Sequence, residues 1–396
     1  MSFLVFCSFE VGGIPFRMAE ILNRYKVETY YIYLGKKTAG HDSTQFHYGN
    51  VSCKWDLSNL FQNDLNDTGK IISLLKEVKE KYSICHCLAI GIDAYLLKKA
   101  DISYKYWTYG SDLDQYCFVH TSLLNPLLRK RLLIHPLRVY RERQRARKAI
   151  GMSDSVLILP YQFKVLMKVS PNKEMYFLPH PLSILEFSEL QKRKKDNKER
   201  ICKEVGAEHY FFSATRHIWA GHFRKMSDNK GNDVIFHAFA KYLRLSNDYR
   251  SKLVLVKKGL DVKHSRSLAC SLGIEGSVEW LEEMRREQLD RYYQGASICF
   301  GQFGVPVINF SILEPLANAS IGVSFFNETI SSVPSYKTFP PVFNSREPEP
   351  IAEFMIQILS NEDAYNALSY NSWLWTKENC SEEKFVESLL DVFHES

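Results

Sequence analysis

The feature that most constrains this chain is an alternation that runs along it twice. Short apolar runs suited to buried strands are followed by segments whose apolar positions recur at helical spacing. The first series opens with FLVFCSF, which leads past Gly12-Gly13 into IPFRMAEILNRY. It continues through VETYYIYLG, IISLLKEVKEKY, SICHCLAI and YKYWTYG, and after a basic segment through DSVLILP and EMYFLPHPLS. The second series restarts at HYFFSATR and proceeds through NDVIFHAFAKYLR, KLVLVKKG, SRSLACSLGI, SVEWL, RREQLDRYYQGA, SICFG and ILEPLANAS to IGVSF. Apolar runs bounded by turns mark strands and the 3.6-residue period marks helices. Their alternation is what a parallel sheet with helices on both faces requires.

Two successive doubly wound units are therefore expected, and 396 residues are enough for two cores. The lysine-rich ELQKRKKDNKERICKEVG between the series reads as a solvated connection with little core. This places a first domain over 1–185, a second over 186–375, and a last stretch over 376–396 whose amphipathic SEEKFVESLLDVFHE docks on the body. Ligands of such sheets lie beyond the carboxyl ends of strands. The informative loops are then those after Phe6, Tyr109, Ala214, Val256, Trp280 and Phe300.

Composition narrows the class. No window approaches the roughly 20 apolar residues that span a bilayer, and the start lacks the basic region of a secretory signal. A cytoplasmic protein is expected, at most peripheral on the cytoplasmic membrane face. Nine scattered cysteines without paired spacing read as reduced thiols. Cys85-His86-Cys87 has no second pair at zinc-site spacing and reads as part of a buried strand.

The net charge of +6 is concentrated in residues 129–148, RKRLLIHPLRVYRERQRARK. No nucleic-acid module and no interleaving of basic and aromatic residues accompanies it, so nucleic acid is not the expected partner. Leu132, Leu133, Ile134, Leu137 and Val139 lie among the cations, as in a helix at an anionic membrane surface. A solvated helix with a core-facing apolar stripe fits the same residues equally well.

Two features carry chemistry. Arg216 follows the first strand of the second series, and Lys230 stands immediately before Gly231 at a helix start. A cation beside a glycine-led helix N-terminus suits a phosphate, because free N–H groups and the helix dipole add to its charge. A surface ion pair and a solvated lysine are the plain alternative. The second feature is SICFGQFGV followed by Leu313-Glu314-Pro315-Leu316-Ala317, with one carboxylate in an apolar helix. Burying it unpaired would be costly, so Glu314 needs a partner. Ribose hydroxyls would serve, and so would backbone groups or a basic residue.

The order and spacing of these elements resemble the donor-binding half of the retaining GT-B glycosyltransferases of family 4. SATRHIW with KGNDVIFHAF is similar to that family's arginine and lysine-glycine element, and LVLVKKG, LACSLGIEGSVEWL, REQLDRYYQGASICF and ILEPLANASIGV follow as its later elements do. Gly12-Gly13 resembles its N-terminal glycine loop and Gly110-Ser111-Asp112 its Gly-Ser-Asp turn. The resemblance implies an α/β protein of GT-B fold, two Rossmann-like doubly wound domains facing a central cleft. It implies that Gly12 and Gly13 approach the donor, that Arg216 and Lys230 neutralise the diphosphate, and that Glu314 holds the ribose. Phe303 and Gly304 would lie against the sugar or phosphates, and Leu281 and Glu282 would border the base.

The chain departs from the family pattern at three places. Pro306 stands where an acidic residue often contacts the donor sugar, eight positions before Glu314. The stretch from Arg216 to Lys230 is long and contains Arg224 and Lys225, and Tyr109 replaces a frequent histidine. Asp112 and His120 are the catalytic candidates on the acceptor side, since either can accept a proton from a hydroxyl; capping a turn and partial exposure are their structural alternatives. No metal and no cofactor is expected beyond the nucleotide-sugar co-substrate. The expected activity is retaining transfer of a sugar from a nucleotide diphosphate to a hydroxyl of a glycan or lipid-linked acceptor, in bacterial surface polysaccharide or lipopolysaccharide synthesis. The rivals are a silent sugar-nucleotide-binding or scaffold protein and a nucleotide-sugar epimerase.

Overall fold

The computed structural model describes residues 2–8, 13–35, 53–108, 135–158, 162–221, 229–328, 336 and 338–394. The chain divides into two compact units, Met1–Pro179 with Glu383–Ser396, and His180–Glu382.

In the first unit, strand β1 (Ser2–Cys7) has every residue buried, as a strand covered on both faces must. Helix α1 (Ile14–Arg24) follows, entered through Gly13 at φ 75°, with Pro15 in its first turn. Then come β2 (Thr29–Tyr33), α2 (Thr68–Lys81), β3 (Ile84–Ile90), α3 (Tyr95–Lys99) and β4 (Lys105–Trp107). The unit continues with α4 (Pro136–Met152), β5 (Val156–Leu157), α5 (Phe163–Val169) and β6 (Met175–Tyr176). The six strands pair in parallel in the order β2-β1-β3-β4-β5-β6. Cys85, His86 and Cys87 lie in β3, with Cys87 buried and Cys85 exposed.

The second unit starts with the segment expected to be a solvated connection, which is instead helix α6 (Phe187–Val205). Leu190, Asn197 and Ile201 recur at helical spacing and are buried, and Gly206 ends the helix at φ 66°. Lys192, Lys195 and Lys203 lie exposed among other charged residues on its outer face, which is why composition alone misjudges it. Next come β7 (His209–Ser213), α7 (Asn232–Ser246), β8 (Ser251–Val256), α8 (Val262–Ser271), β9 (Val278–Leu281), α9 (Arg286–Gly295), β10 (Ile298–Phe300), α10 (Phe310–Ala317) and β11 (Gly322–Ser324). Strand β12 (Val342–Asn344) and helices α11 (Pro348–Leu359) and α12 (Glu362–Cys380) complete it. The sheet is parallel throughout, in the order β12-β11-β10-β7-β8-β9.

The second unit begins at His180, ahead of residue 185, because Leu182 bridges to Ser381 and packs with Trp375 and Leu313. Helix α13 (Glu382–His394) returns to the first unit. There Phe385, Leu389 and Phe393 are buried with Phe3 and Val5 on one face of the sheet.

Candidate functional site

In the second sheet β8 and β10 flank β7 on opposite sides. The chain winds outward through β8 and β9 and then crosses back to β10, so the crevice at the carboxyl ends of β7 and β10 is a topological switch point, where ligands of such sheets bind. The loop after β7 carries Thr215, the exposed Arg216 and the fully buried His217. It is held from three sides. The His217 N–H donates to the Lys258 carbonyl at 2.6 Å and the His217 carbonyl accepts from the Asp261 N–H at 2.9 Å. Asp261 Oδ2 accepts from the N–H groups of Trp219 at 2.7 Å and Ala220 at 3.0 Å. Asn232, the first residue of α7, accepts from the Ile218 N–H through Oδ1 at 3.3 Å.

Gly259, at φ 113°, makes this packing possible, since a Cβ there would lie 2.4 Å from the His217 carbonyl oxygen. His217 Nδ1 lies 2.8 Å from Ser265 Oγ, and Trp219 Nε1 donates to the same oxygen at 2.8 Å. Burial pushes the His217 imidazole down to about 4 against a smaller upward pull from Asp261, so the ring is neutral at pH 7.

Lys230 and the 301–304 loop meet beside it. The Lys230 N–H donates to the Ile218 carbonyl at 2.7 Å, and the Lys230 carbonyl accepts from the Phe303 N–H at 2.9 Å. Lys230 Nζ donates to Gln302 Oε1 at 3.1 Å, and Gln302 Nε2 donates to the Val305 carbonyl at 2.8 Å. Gly231 sits at φ 63°, and a Cβ on it would stand 2.6 Å from the Gly304 nitrogen. A Cβ on Gly304 would stand 2.5 Å from the Asn229 carbonyl oxygen. The two glycines thus let the loops touch through backbone, at the N-terminus of α7, whose first N–H groups favour an anion. Of the sequence candidates, Lys230, Phe303 and Gly304 are brought together, and Arg216 extends from a loop hydrogen-bonded to theirs.

Glu314 lies one helix away. Its Oε1 accepts from Arg286 Nη1, and its Oε2 accepts from the Tyr293 hydroxyl at 3.3 Å. Arg286 also faces Asp290 at 3.3 Å. Burial lowers the affinity of the Arg286 guanidinium for its proton, but the charges of Glu314 and Asp290 outweigh it and hold the group above its ordinary value. The partner that burial demands for Glu314 is therefore a basic residue. Leu281 ends β9 and its carbonyl accepts from the Lys257 N–H at 2.7 Å, while the exposed Glu282 pairs with Lys257.

Gln302, Asp261 and Arg286 were not singled out from the sequence. Asp261 could have been found as the acid before a helix following KKG, but nothing in the linear order links it to Trp219. Among the described residues no His, Cys, Asp and Glu side chains are grouped as a metal site.

Gly13 begins α1 at the carboxyl side of β1. Gly12, Asp112 and His120 lie outside the described residues, as do Gly110, Ser111, Tyr109, Arg224 and Lys225. At the switch point of the first sheet, between β1 and β3, Asp93 pairs with Arg145 and its N–H donates to Ser8 Oγ at 3.1 Å. Arg145 belongs to α4, the described part of the basic region. That helix buries Val139, Ala146, Ala149 and Ile150 and exposes Leu137, Arg138, Tyr140, Arg141, Arg147 and Lys148. Leu132, Leu133 and Ile134 lie outside the described residues.

The sequence matches no protein-family profile and no curated protein. The structure resembles solved ones over its whole length. Sucrose-phosphate synthase from Thermosynechococcus elongatus superposes with a TM-score of 0.63 at 12% identity, covering 100% of this chain and 99% of that one. HepE from Anabaena, solved in complex with UDP-glucose, gives 0.63 at 13% identity with 100% of each chain covered. WaaG, a glycosyltransferase involved in lipopolysaccharide biosynthesis, gives 0.57 at 13% identity over 99% of this chain and 98% of that one. At such identities the likeness establishes the fold, which is GT-B with two Rossmann-like doubly wound units.

Proposed function

We propose that this chain is a glycosyltransferase that binds a nucleotide-diphosphate sugar in its second unit and moves the sugar to an acceptor hydroxyl. One observation carries the reading: at the switch point of a GT-B sheet, Lys230 and a glycine-to-glycine backbone contact stand at a helix N-terminus beside the Arg216 loop. In this reading Arg216 and Lys230 neutralise the diphosphate. Their effect is largest as the sugar–phosphate bond breaks and negative charge grows on the leaving oxygen, so they lower the barrier rather than only tightening binding. These side chains supply the countercharge that a divalent ion would otherwise bring. Glu314 accepts the ribose hydroxyls, Phe303 and Gly304 border the phosphates and sugar, and Leu281 and Glu282 border the base.

The finer reading is retention of anomeric configuration, membership in family 4, and a hexosyl donor. It continues with a glycan or lipid-linked acceptor contacted by Asp112 or His120, in surface polysaccharide or lipopolysaccharide synthesis. The order of motifs and the likeness to WaaG support it. The exposed cations of α4, with Leu137 and Tyr140 among them, support attachment of a cytoplasmic protein to an anionic membrane surface. A silent nucleotide-sugar-binding protein is the second reading, favoured by Pro306 at the position where an acid often contacts the donor sugar.

The test is a thermal-shift panel of UDP, GDP, ADP and CMP with UDP- and GDP-sugars, on wild type and on the Arg216→Ala/Lys230→Ala double variant. A ligand that binds only the native state raises its melting temperature. One nucleotide family should stabilise the wild type and leave the variant unmoved. No shift with any of them would sink the transferase reading. Binding without sugar release or transfer would select the silent one.

A further inference from the structure

Glu314 is the one carboxylate of α10, and its side chain is 13% exposed. Arg286 opens α9 and Tyr293 lies two turns further along the same helix. The two hold different oxygens of the carboxylate, Arg286 the Oε1 and Tyr293 the Oε2 at 3.3 Å. Arg286 is itself anchored, since its Nε lies 3.3 Å from Asp290 Oδ1 one turn along. Asp290 accepts from Asn318 Nδ2 at 3.1 Å, Asn318 Oδ1 accepts from Gln294 Nε2 at 2.9 Å, and Gln294 Oε1 accepts from Asn197 Nδ2 at 2.8 Å. A continuous chain of polar side chains thus runs from α6 through α9 to Glu314.

This exceeds what neutralising one carboxylate requires. An ionised carboxylate has about four acceptor positions, and two are taken here, one on each oxygen. One position on each oxygen remains, and two neighbouring hydroxyls can occupy those together. The pair is not sealed, because Arg286 keeps 23% of its side-chain surface exposed, at the start of a helix that leaves the carboxyl edge of the sheet. A free glutamate side chain would have to surrender rotamer freedom on binding, whereas one held at both oxygens has surrendered it already.

We propose that Arg286 is a positioning residue. With Tyr293 it fixes the Glu314 carboxylate in the orientation that accepts both vicinal hydroxyls of a ribose, and so makes the second unit selective for ribonucleotides over 2′-deoxyribonucleotides. The inference rests on the nucleotide-sugar reading above.

Calorimetric titration of the full chain with UDP and 2′-deoxy-UDP, and with GDP and 2′-deoxy-GDP, tests it. Wild type should prefer the ribonucleotide of its base by at least about tenfold, the factor that about 1.4 kcal/mol supplies. Glu314→Gln should lose that preference. Arg286→Gln should lose it to the same extent, by weakening the ribonucleotide while leaving the deoxyribonucleotide unchanged, and Arg286→Lys should restore part of it. A wild-type preference retained in Arg286→Gln, with only the melting temperature lowered, would overturn the inference by making the pair structural. If Arg286→Gln does not fold, Tyr293→Phe decides: a reduced preference supports the positioning role and an unchanged one overturns it. Wild type binding a nucleotide with no ribose preference overturns the inference alone. Wild type binding none of the four overturns it together with the reading it rests on.

Discussion

Gly231 shows how much a single residue can decide. Its φ of 63° is open to glycine at little cost, and the Gly304 nitrogen 2.6 Å from its would-be Cβ leaves no room for a methyl group. Gly231→Ala should cost about 1–3 kcal/mol in strain and displacement. It should also part the two loops, lowering the melting temperature and abolishing the nucleotide-induced shift. An alanine variant with wild-type values of both would refute the close-contact argument. The buried histidines set a different expectation. Burial pushes His180 and His217 each down to about 4, whereas the unfolded chain titrates near the ordinary value of about 6.5. Between those values the unfolded state binds more protons, so stability rises with pH. The histidines favour the fold fully above about pH 6.5, and their contribution is lost as pH falls toward 4, on the order of 3 kcal/mol each. Urea midpoints should fall through that window, and His217→Asn should make the fall shallower. An unchanged slope in that variant would contradict the assignment.

Among the elements, the loop after β7 depends for its order on a side chain far away in sequence. Asp261 is 3% exposed and takes the N–H groups of Trp219 and Ala220 on one oxygen. Asp261→Ala would leave those two donors unsatisfied, at about 1–3 kcal/mol each. Arg216, three residues before Trp219, would lose its support. Nucleotide affinity should therefore drop along with the melting temperature. Asp261→Asn keeps an acceptor oxygen and should lose less of both. A drop in melting temperature with unchanged affinity would show that the clamp serves stability alone. Helix α6 carries the converse point. Its lysines suggest a linker, yet Leu190, Asn197 and Ile201 fall on one buried face, so the spacing of a few residues outweighs composition.

For the whole molecule, the decisive arrangement is that the end of the chain completes the core of its beginning. Phe385 and Leu389 are wholly buried in the first unit, and Phe393 packs edge-on against Phe3 at 5.0 Å between ring centroids. Removing 382–396 would uncover that face of the first sheet. Full burial of each large apolar side chain is worth roughly 1.5–3 kcal/mol, and three of them approach the roughly 5–15 kcal/mol by which a domain is stable. Calorimetry of the truncated chain should show the first unit's transition lost and the second unit's retained. Two intact transitions would refute this.

The sequence by itself determined the strands apart from β12, most of the helices and the doubly wound class, because apolar spacing records which side chains must leave water and needs no knowledge of the partner. It also marked Arg216 and Lys230 as cations after a strand and at a helix start, and Glu314 as a lone carboxylate in an apolar helix, while the family resemblance added Phe303 and Gly304. Helix α11 buries Ile351, Ala352, Met355 and Ile358 at helical spacing, whereas α12 buries mainly Ser, Thr, Asn and Trp and carries no apolar stripe to read. Tertiary structure alone decided that Arg286 meets Glu314 across 28 residues, that Asp261 clamps Trp219 across 42 in the numbering, and that α13 closes the first unit. The first two pairings are made by polar groups whose partners are chosen by how the strands order in the sheet, and the third by an apolar helix face that could have met any uncovered sheet face. The order β10-β7-β8 is fixed by packing two faces at once, and a one-dimensional pattern does not carry it.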